Sequence, residues 1–146
     1  MRHFFIIANL QKDKELTLTK QMKAFIEEKN GTCAYYATEG KKGVEAAPKL
    51  EDIPKETECI LILGGDGTLI RAATKLVTCD IPLIGVNLGT VGYLCELEAQ
   101  NVFQALERLM QDTYVIEERM LLTGHGEMRG EHTSERCALN EITIHR

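Results

Sequence analysis

The chain has 146 residues, 44% hydrophobic and 27% charged, enough for one buried core and ordinary for a soluble domain. A formal net charge of −5, with no Lys/Arg cluster longer than Lys41-Lys42, argues against the basic face of a nucleic-acid binder. A polyanionic ligand would have to be met by backbone amides, local cations or a metal. The cysteines at 33, 59, 79, 95 and 137 form no Cys-x-x-Cys pair, so neither zinc nor a redox couple is suggested. Read as reduced thiols, they place the chain in the cytoplasm.

Phe4-Phe5-Ile6-Ile7-Ala8 is too short to span a membrane and lacks a signal peptide's cleavage context, so it is predicted to be a first buried strand. Asp13 can cap a helix whose apolar positions Leu16, Leu18, Met22, Phe25 and Ile26 suit one packed face, ending at Asn30-Gly31. Thr32 to Ala37 is β-rich, and its Tyr35-Tyr36 pair reads as strand packing rather than a base-stacking platform. Gly40, Gly43, Pro48 and Pro54 make Thr38 to Thr57 mostly loop, with room for one short helical turn.

The apolar run Cys59-Ile60-Leu61-Ile62 leads into Leu63-Gly64-Gly65-Asp66-Gly67-Thr68 and then a helix predicted over Leu69 to Val77. Glycines let a backbone turn with φ > 0 and approach a ligand closely, and a helix start offers unpaired N–H groups and a positive dipole end. Phosphate chemistry is expected at this junction. Asp66 would repel a phosphate, and three readings stand for it: metal ligand, proton acceptor for an attacking hydroxyl, or helix cap.

Pro82 to Val86 is the fourth predicted strand, followed by a second glycine turn, Asn87-Leu88-Gly89-Thr90-Val91-Gly92-Tyr93-Leu94. Val102 to Met110 is a helix with Phe103, Leu106 and Leu109 on its inner side. The pattern is doubly wound α/β, a mostly parallel sheet flanked by helices, and in such sheets ligands lie at the carboxyl ends of the strands, where both glycine turns fall. Beyond Gln111 the chain becomes β-prone, at Tyr114 to Glu118, Met120 to Gly124 and Ala138 to His145, with a turn-like Gly124 to Glu135. His125, Glu127, Glu131 and His132 fit no helical His-x-x-x-His metal spacing and read as a solvated hairpin. Asn140-Glu141 is a polar pair set beside Leu139 and Ile142-Thr143-Ile144.

Gly64-Gly65-Asp66-Gly67-Thr68, Asn87-Leu88-Gly89-x-x-Gly92-Tyr93-Leu94 and Asn140-Glu141, in this order, resemble the NAD kinase family. Arg119-Met120-Leu121-Leu122 resembles that family's link into its second half. The first element alone is shared with diacylglycerol kinase-like lipid kinases, and a shorter version with phosphofructokinases. A lipid kinase would need a membrane-seeking surface, which nothing basic or amphipathic here supplies.

The resemblance implies transfer of the γ-phosphoryl group of ATP, or of polyphosphate in some bacterial members, to the 2′-hydroxyl of the adenosine ribose of NAD, with magnesium. It assigns Asp66 as the base, sets Gly64, Gly65, Gly67 and Thr68 along phosphates, and gives NAD's adenosine and ribose to Asn140 and Glu141. Asn87 and Gly89 of the second turn join the expected binding residues, and no protein metal ligand is assigned. Residues 1–118 are expected to be the α/β nucleotide-binding domain and 119–146 the start of a β-rich second domain. In the family that second domain is a β-sandwich of comparable size supplying much of the subunit interface, so a homo-oligomer is expected. The run Ala138 to His145 reads as a strand interrupted. The chain on its own is thus also readable as an incomplete nucleotide-binding fragment.

Overall fold

The structure is a computed structural model, and it describes residues 1–39, 47–89, 92–125, 127–128, 131–132 and 136–139. The chain divides into two compact units, Met1–Ile116 and Glu117–Arg146.

In the first unit, β1 (His3–Asn9), β2 (Thr32–Thr38), β3 (Cys59–Gly64), β4 (Leu83–Asn87) and the short β5 (Leu97–Glu98) form a five-stranded sheet in the order β2-β1-β3-β4-β5, every pair parallel. Parallel neighbours need crossovers: α1 (Thr17–Glu28) lies between β1 and β2 and α2 (Asp66–Lys75) between β3 and β4, while α3 (Val102–Met110) follows β5. The α/β expectation is met. Strand order reverses between β1 and β3, which makes the crevice beyond their carboxyl ends the expected ligand position.

The two central strands are buried on both faces, and their side chains alternate between two cores. Phe4, Ile6, Leu61 and Leu63 pack with Met22 and Ile26 of α1 and with Val102 and Leu106 of α3. Phe5, Ile7, Ile60 and Ile62 pack on the opposite side with Leu69 and Ala72 of α2. Each such side chain contributes roughly 1.5–3 kcal/mol by leaving water. Burial also pushes the thiols of Cys33 and Cys59 up to about 12, so both stay protonated, and all five cysteines are free.

Asp13 does not start α1 directly. Glu15 and Leu16 adopt left-handed φ of 58° and 57° within a 3-10 turn, and α1 begins at Thr17. The cap survives across that detour. The Asp13 carboxylate accepts from the amides of Leu18 (3.0 Å) and Thr19 (2.9 Å) and from the Thr19 hydroxyl (2.6 Å), and Asp13 is buried. Asp13→Ala should cost about 1–2 kcal/mol, read as a lower urea midpoint at unchanged m-value. At the other end, Asn30 takes φ 60° and the Gly31 amide donates to Ile26 O at 2.9 Å. A Cβ at Gly31 would sit 2.7 Å from Arg2 O, so no other residue fits this exit without a shift of backbone.

α3 matches its predicted bounds, Val102 to Met110. The predicted strand Tyr114 to Glu118 does not form. Its residues have no regular structure and Val115 is 94% exposed, because β-propensity without a neighbouring edge gives no ladder. In the second unit, β6 (Leu122–Gly124) pairs antiparallel with β9 (Arg136–Ala138), and β7 (Glu127–Met128) with β8 (Glu131–His132). The latter pair forms the hairpin expected around His125 to His132. Ala138 ends β9 and Leu139 is a bend, and residues 140–145 of that predicted run lie outside the described residues. No helix among the described residues is long and apolar enough to cross a membrane.

Candidate active site

Both glycine turns leave the carboxyl end of the sheet, from adjacent strands. β3 and β4 pair through Gly64 and Asn87, and the Leu88 amide donates to Gly64 O at 2.8 Å, so the two turns are fastened at their roots. Asn87 is buried, and its Oδ1 accepts from the Gly89 amide at 3.1 Å.

The helix after the first turn starts three residues earlier than predicted. Gly65 is the N-cap and Asp66 the first helical residue, which removes the helix-cap reading of Asp66. An acidic residue suits that first turn through the helix dipole. The glycines also act otherwise than expected, since none of Gly64, Gly65 and Gly67 takes a left-handed φ. What they provide is room. A Cβ at Gly64 would lie 2.5 Å from Thr68 Oγ1, whereas one at Gly65 would meet only Asn87 Oδ1 at 3.9 Å. The Gly65 face is therefore open to a ligand, and Gly64 is where Thr68 packs. Thr68 is buried, its Oγ1 accepting from Asn9 Nδ2 at 3.2 Å, which ties the first turn to the end of β1.

Asp66 faces the second turn. Its Oδ2 accepts from the Tyr93 amide at 2.8 Å and its Oδ1 from the amides of Leu94 and Cys95, each at 3.2 Å. The Tyr93 amide is the main cause holding this carboxyl below its usual range, with the Leu94 and Cys95 amides adding to it against some desolvation. Asp66 is thus ionised at neutral pH. The Cys95 thiol also bonds Asp66, and burial first, then this partner, pushes it up to about 11. Gly92 makes the contact possible: a Cβ there would fall under 3.0 Å from the Asp66 carboxyl carbon and both its oxygens.

Two cations border the turns. A Cβ at Gly89 would lie 3.0 Å from Lys12 Nζ, and one at Gly67 3.4 Å from Arg71 Nη1. The Arg71 Nε is buried with no hydrogen-bond partner among the described residues. Sequence reasoning missed both residues, because neither belongs to a basic cluster. The usable signal was position: Lys12 lies in the turn after a buried parallel strand, and Arg71 one helical turn past Gly67. Thr90, Val91, Asn140 and Glu141 lie outside the described residues.

The ATP-NAD kinase N-terminal domain family matches residues 4–114. The chain belongs to the NAD kinase family. It is 53% identical over 146 residues to the NAD kinase of Agathobacter rectalis, covering 100% of this chain and 50% of that protein. With the NAD kinase of Lachnoclostridium phytofermentans it shares 40% over 148 residues, covering 100% and 51%. The chain thus spans about half the length of the curated relatives it matches. Among solved structures, yeast NADH kinase complexed with NADH superposes with a TM-score of 0.62 at 15% identity, covering 96% of this chain and 47% of that one, a likeness of fold. Membership favours the NAD kinase reading of the glycine-Asp element over the lipid kinase-like one.

Proposed function

We propose that this chain carries the phosphoryl-transfer half of an NAD kinase that makes NADP from NAD and ATP. The ribose 2′-oxygen bonds to the γ-phosphorus, the bond from that phosphorus to the β–γ bridging oxygen breaks, ADP leaves, and the hydroxyl proton passes to Asp66. The observation that carries this reading is Asp66 itself, an ionised carboxylate between two glycine turns at the carboxyl end of a parallel sheet.

A carboxylate has about four lone-pair sites. The Leu94 and Cys95 amides take two of them on Oδ1, the Tyr93 amide takes one on Oδ2, and the Cys95 thiol is a fourth donor, so a ribose hydroxyl would enter by displacing the thiol, the weakest of the four. A weakened base is adequate here, since phosphoryl transfer rests on positioning and electrostatics more than on proton abstraction. Gly65 and Gly67 at the start of α2 would lie along the donor's phosphates, with Gly64 and Thr68 shaping the turn beneath and Asn87 and Gly89 closing it from the second turn. Asn140 and Glu141 would hold NAD's adenosine and ribose.

Among the described residues no three His, Cys, Asp or Glu group as a metal site. Magnesium carried by the donor is compatible with that, because the ion keeps several waters and is held through substrate phosphates rather than by a dedicated protein cage. The ion would supply neutralisation of phosphate charge. Polyphosphate remains the alternative donor, and the cytoplasm and a homo-oligomer the expected setting.

The test is a coupled NADP assay on purified Met1–Arg146 with NAD and MgATP, beside calorimetric titration of each. Binding of both with NADP formed supports the reading. Binding without turnover returns the chain to an incomplete nucleotide-binding fragment, a reading favoured by its spanning half its relatives' length. Binding of neither overturns it.

A further inference from the structure

We propose that Lys12 is the cationic contact for an oligophosphate chain, seated in the cavity outside the carboxyl ends of β1 and β4. This deepens the phosphoryl-transfer reading and rests on it. The cavity is an open groove of about 640 Å³, within the range of small-molecule sites, and Lys12, Gln21, Asn87, Gly89 and Glu98 are among its lining residues. It begins beside β1, one of the two strands between which the sheet order reverses.

Three observations converge on Lys12. Its ammonium lies against the second turn at Gly89, whose missing side chain leaves it space. That ammonium has no ion pair or hydrogen bond among the described residues, the Lys12 backbone N–H alone donating, to Asn9 O at 2.9 Å. The acidic groups of the same cavity are otherwise engaged: Asp13 is bound by the amides of Leu18 and Thr19, and Glu98 Oε2 accepts from Gln100 Nε2 at 2.7 Å. In a chain of net charge −5, an ammonium unpaired among the described residues and set beside a buried asparagine and a glycine turn is a local exception that suits phosphate oxygens. Asn87, which lines this cavity, also faces Gly65 of the first turn, so a phosphate chain extending from Lys12 runs toward the open glycine face.

The shared chemistry is a chain of linked phosphates, from a nucleoside triphosphate or from inorganic polyphosphate. The test is calorimetric titration of full Met1–Arg146 and its Lys12→Ala and Lys12→Arg variants with inorganic tripolyphosphate, with ATP and with NAD. Lys12→Ala should weaken tripolyphosphate, ATP or both by about 10-fold or more, the loss of one charge-assisted bond. Lys12→Arg should restore most of it, with NAD affinity and the thermal midpoint unmoved. Lys12-dependent binding of ATP alone identifies the nucleotide as source, and equal dependence with tripolyphosphate identifies the phosphate chain. Lys12→Ala binding both as the native chain does, or losing NAD to the same degree, overturns the proposal, as does failure of the native chain to bind either. Lys12-dependent phosphate binding without any NAD binding would leave this inference standing while the NAD kinase reading fell.

Discussion

Asp66→Asn should lower NADP formation by about 10²–10⁴-fold, the range that follows loss of a positioned base, while NAD affinity changes little. The amide oxygen of Asn keeps one acceptor, but the side chain loses its charge and replaces the second oxygen by a donor. That nitrogen would then point at N–H groups. Either Asn places its oxygen toward Leu94 and Cys95, setting NH₂ against the Tyr93 amide, or the reverse; each arrangement breaks at least one of the bonds made at 2.8 and 3.2 Å. Two consequences can be separated by measurement. Loss of the base lowers kcat, and loosening of the second turn raises the KM for a ligand held by both turns. Equal kcat for Asp66→Asn and the native chain would remove Asp66 from the chemistry and leave it as a brace. The pH dependence carries a sign as well. Asp66 titrates below the usual carboxylate range, so its interaction with the three amides is complete at neutral pH and is lost only as pH falls through that lowered value.

What the sequence revealed and what it hid divide along contact order. β1 and β3 were legible because buried parallel strands are short apolar runs, and α3 because its inner face repeats at helical spacing. The two-residue β5 left no pattern to read. The segment at Tyr114 to Glu118 misled because β-branched and aromatic residues signal a strand only where a sheet edge receives them. At the site, the glycine-Asp element marked a strand-to-helix turn, which forms, yet its φ > 0 rationale did not hold: Gly64 is required by the Thr68 hydroxyl pressed against it. The clamp on Asp66 was beyond local reasoning, since its partners lie 27 to 29 residues away and are backbone amides, which any side chain at Tyr93, Leu94 or Cys95 would present alike. Lys12 was hidden for a related reason, being one isolated cation made significant by the strand it follows.

Gly92→Ala should be nearly as damaging as removal of the Asp66 carboxylate, though Gly92 carries no functional group. A methyl at this position would overlap the whole Asp66 carboxyl group, with the carboxyl carbon and both oxygens under 3.0 Å away. The amides are fixed on the backbone after Gly92, whereas the carboxylate ends a short side chain on the first residue of α2, so it is the Asp66 side chain that must give way. The expected result is displacement of Asp66 from the Tyr93, Leu94 and Cys95 amides and a fall in NADP formation of about 10²-fold, as a misplacement near 1 Å produces in positioned catalysis. The fold should remain, because α2 still packs through Leu69 and Ala72 on β3. Near-native thermal unfolding with lost turnover is therefore the signature, together with a rise of the Asp66 carboxyl toward the ordinary carboxylate value in a carbon-13 NMR titration. A Gly92→Ala variant that turns over normally, with Asp66 still titrating low, would mean that the second turn moves aside on its own and does not set where Asp66 points. Gly65→Ala supplies the contrast, since a methyl there meets only Asn87 Oδ1 at 3.9 Å and leaves the Asp66 clamp intact. Its cost should appear as weaker ATP binding, separating a glycine that makes room for a neighbouring side chain from one that makes room for a ligand.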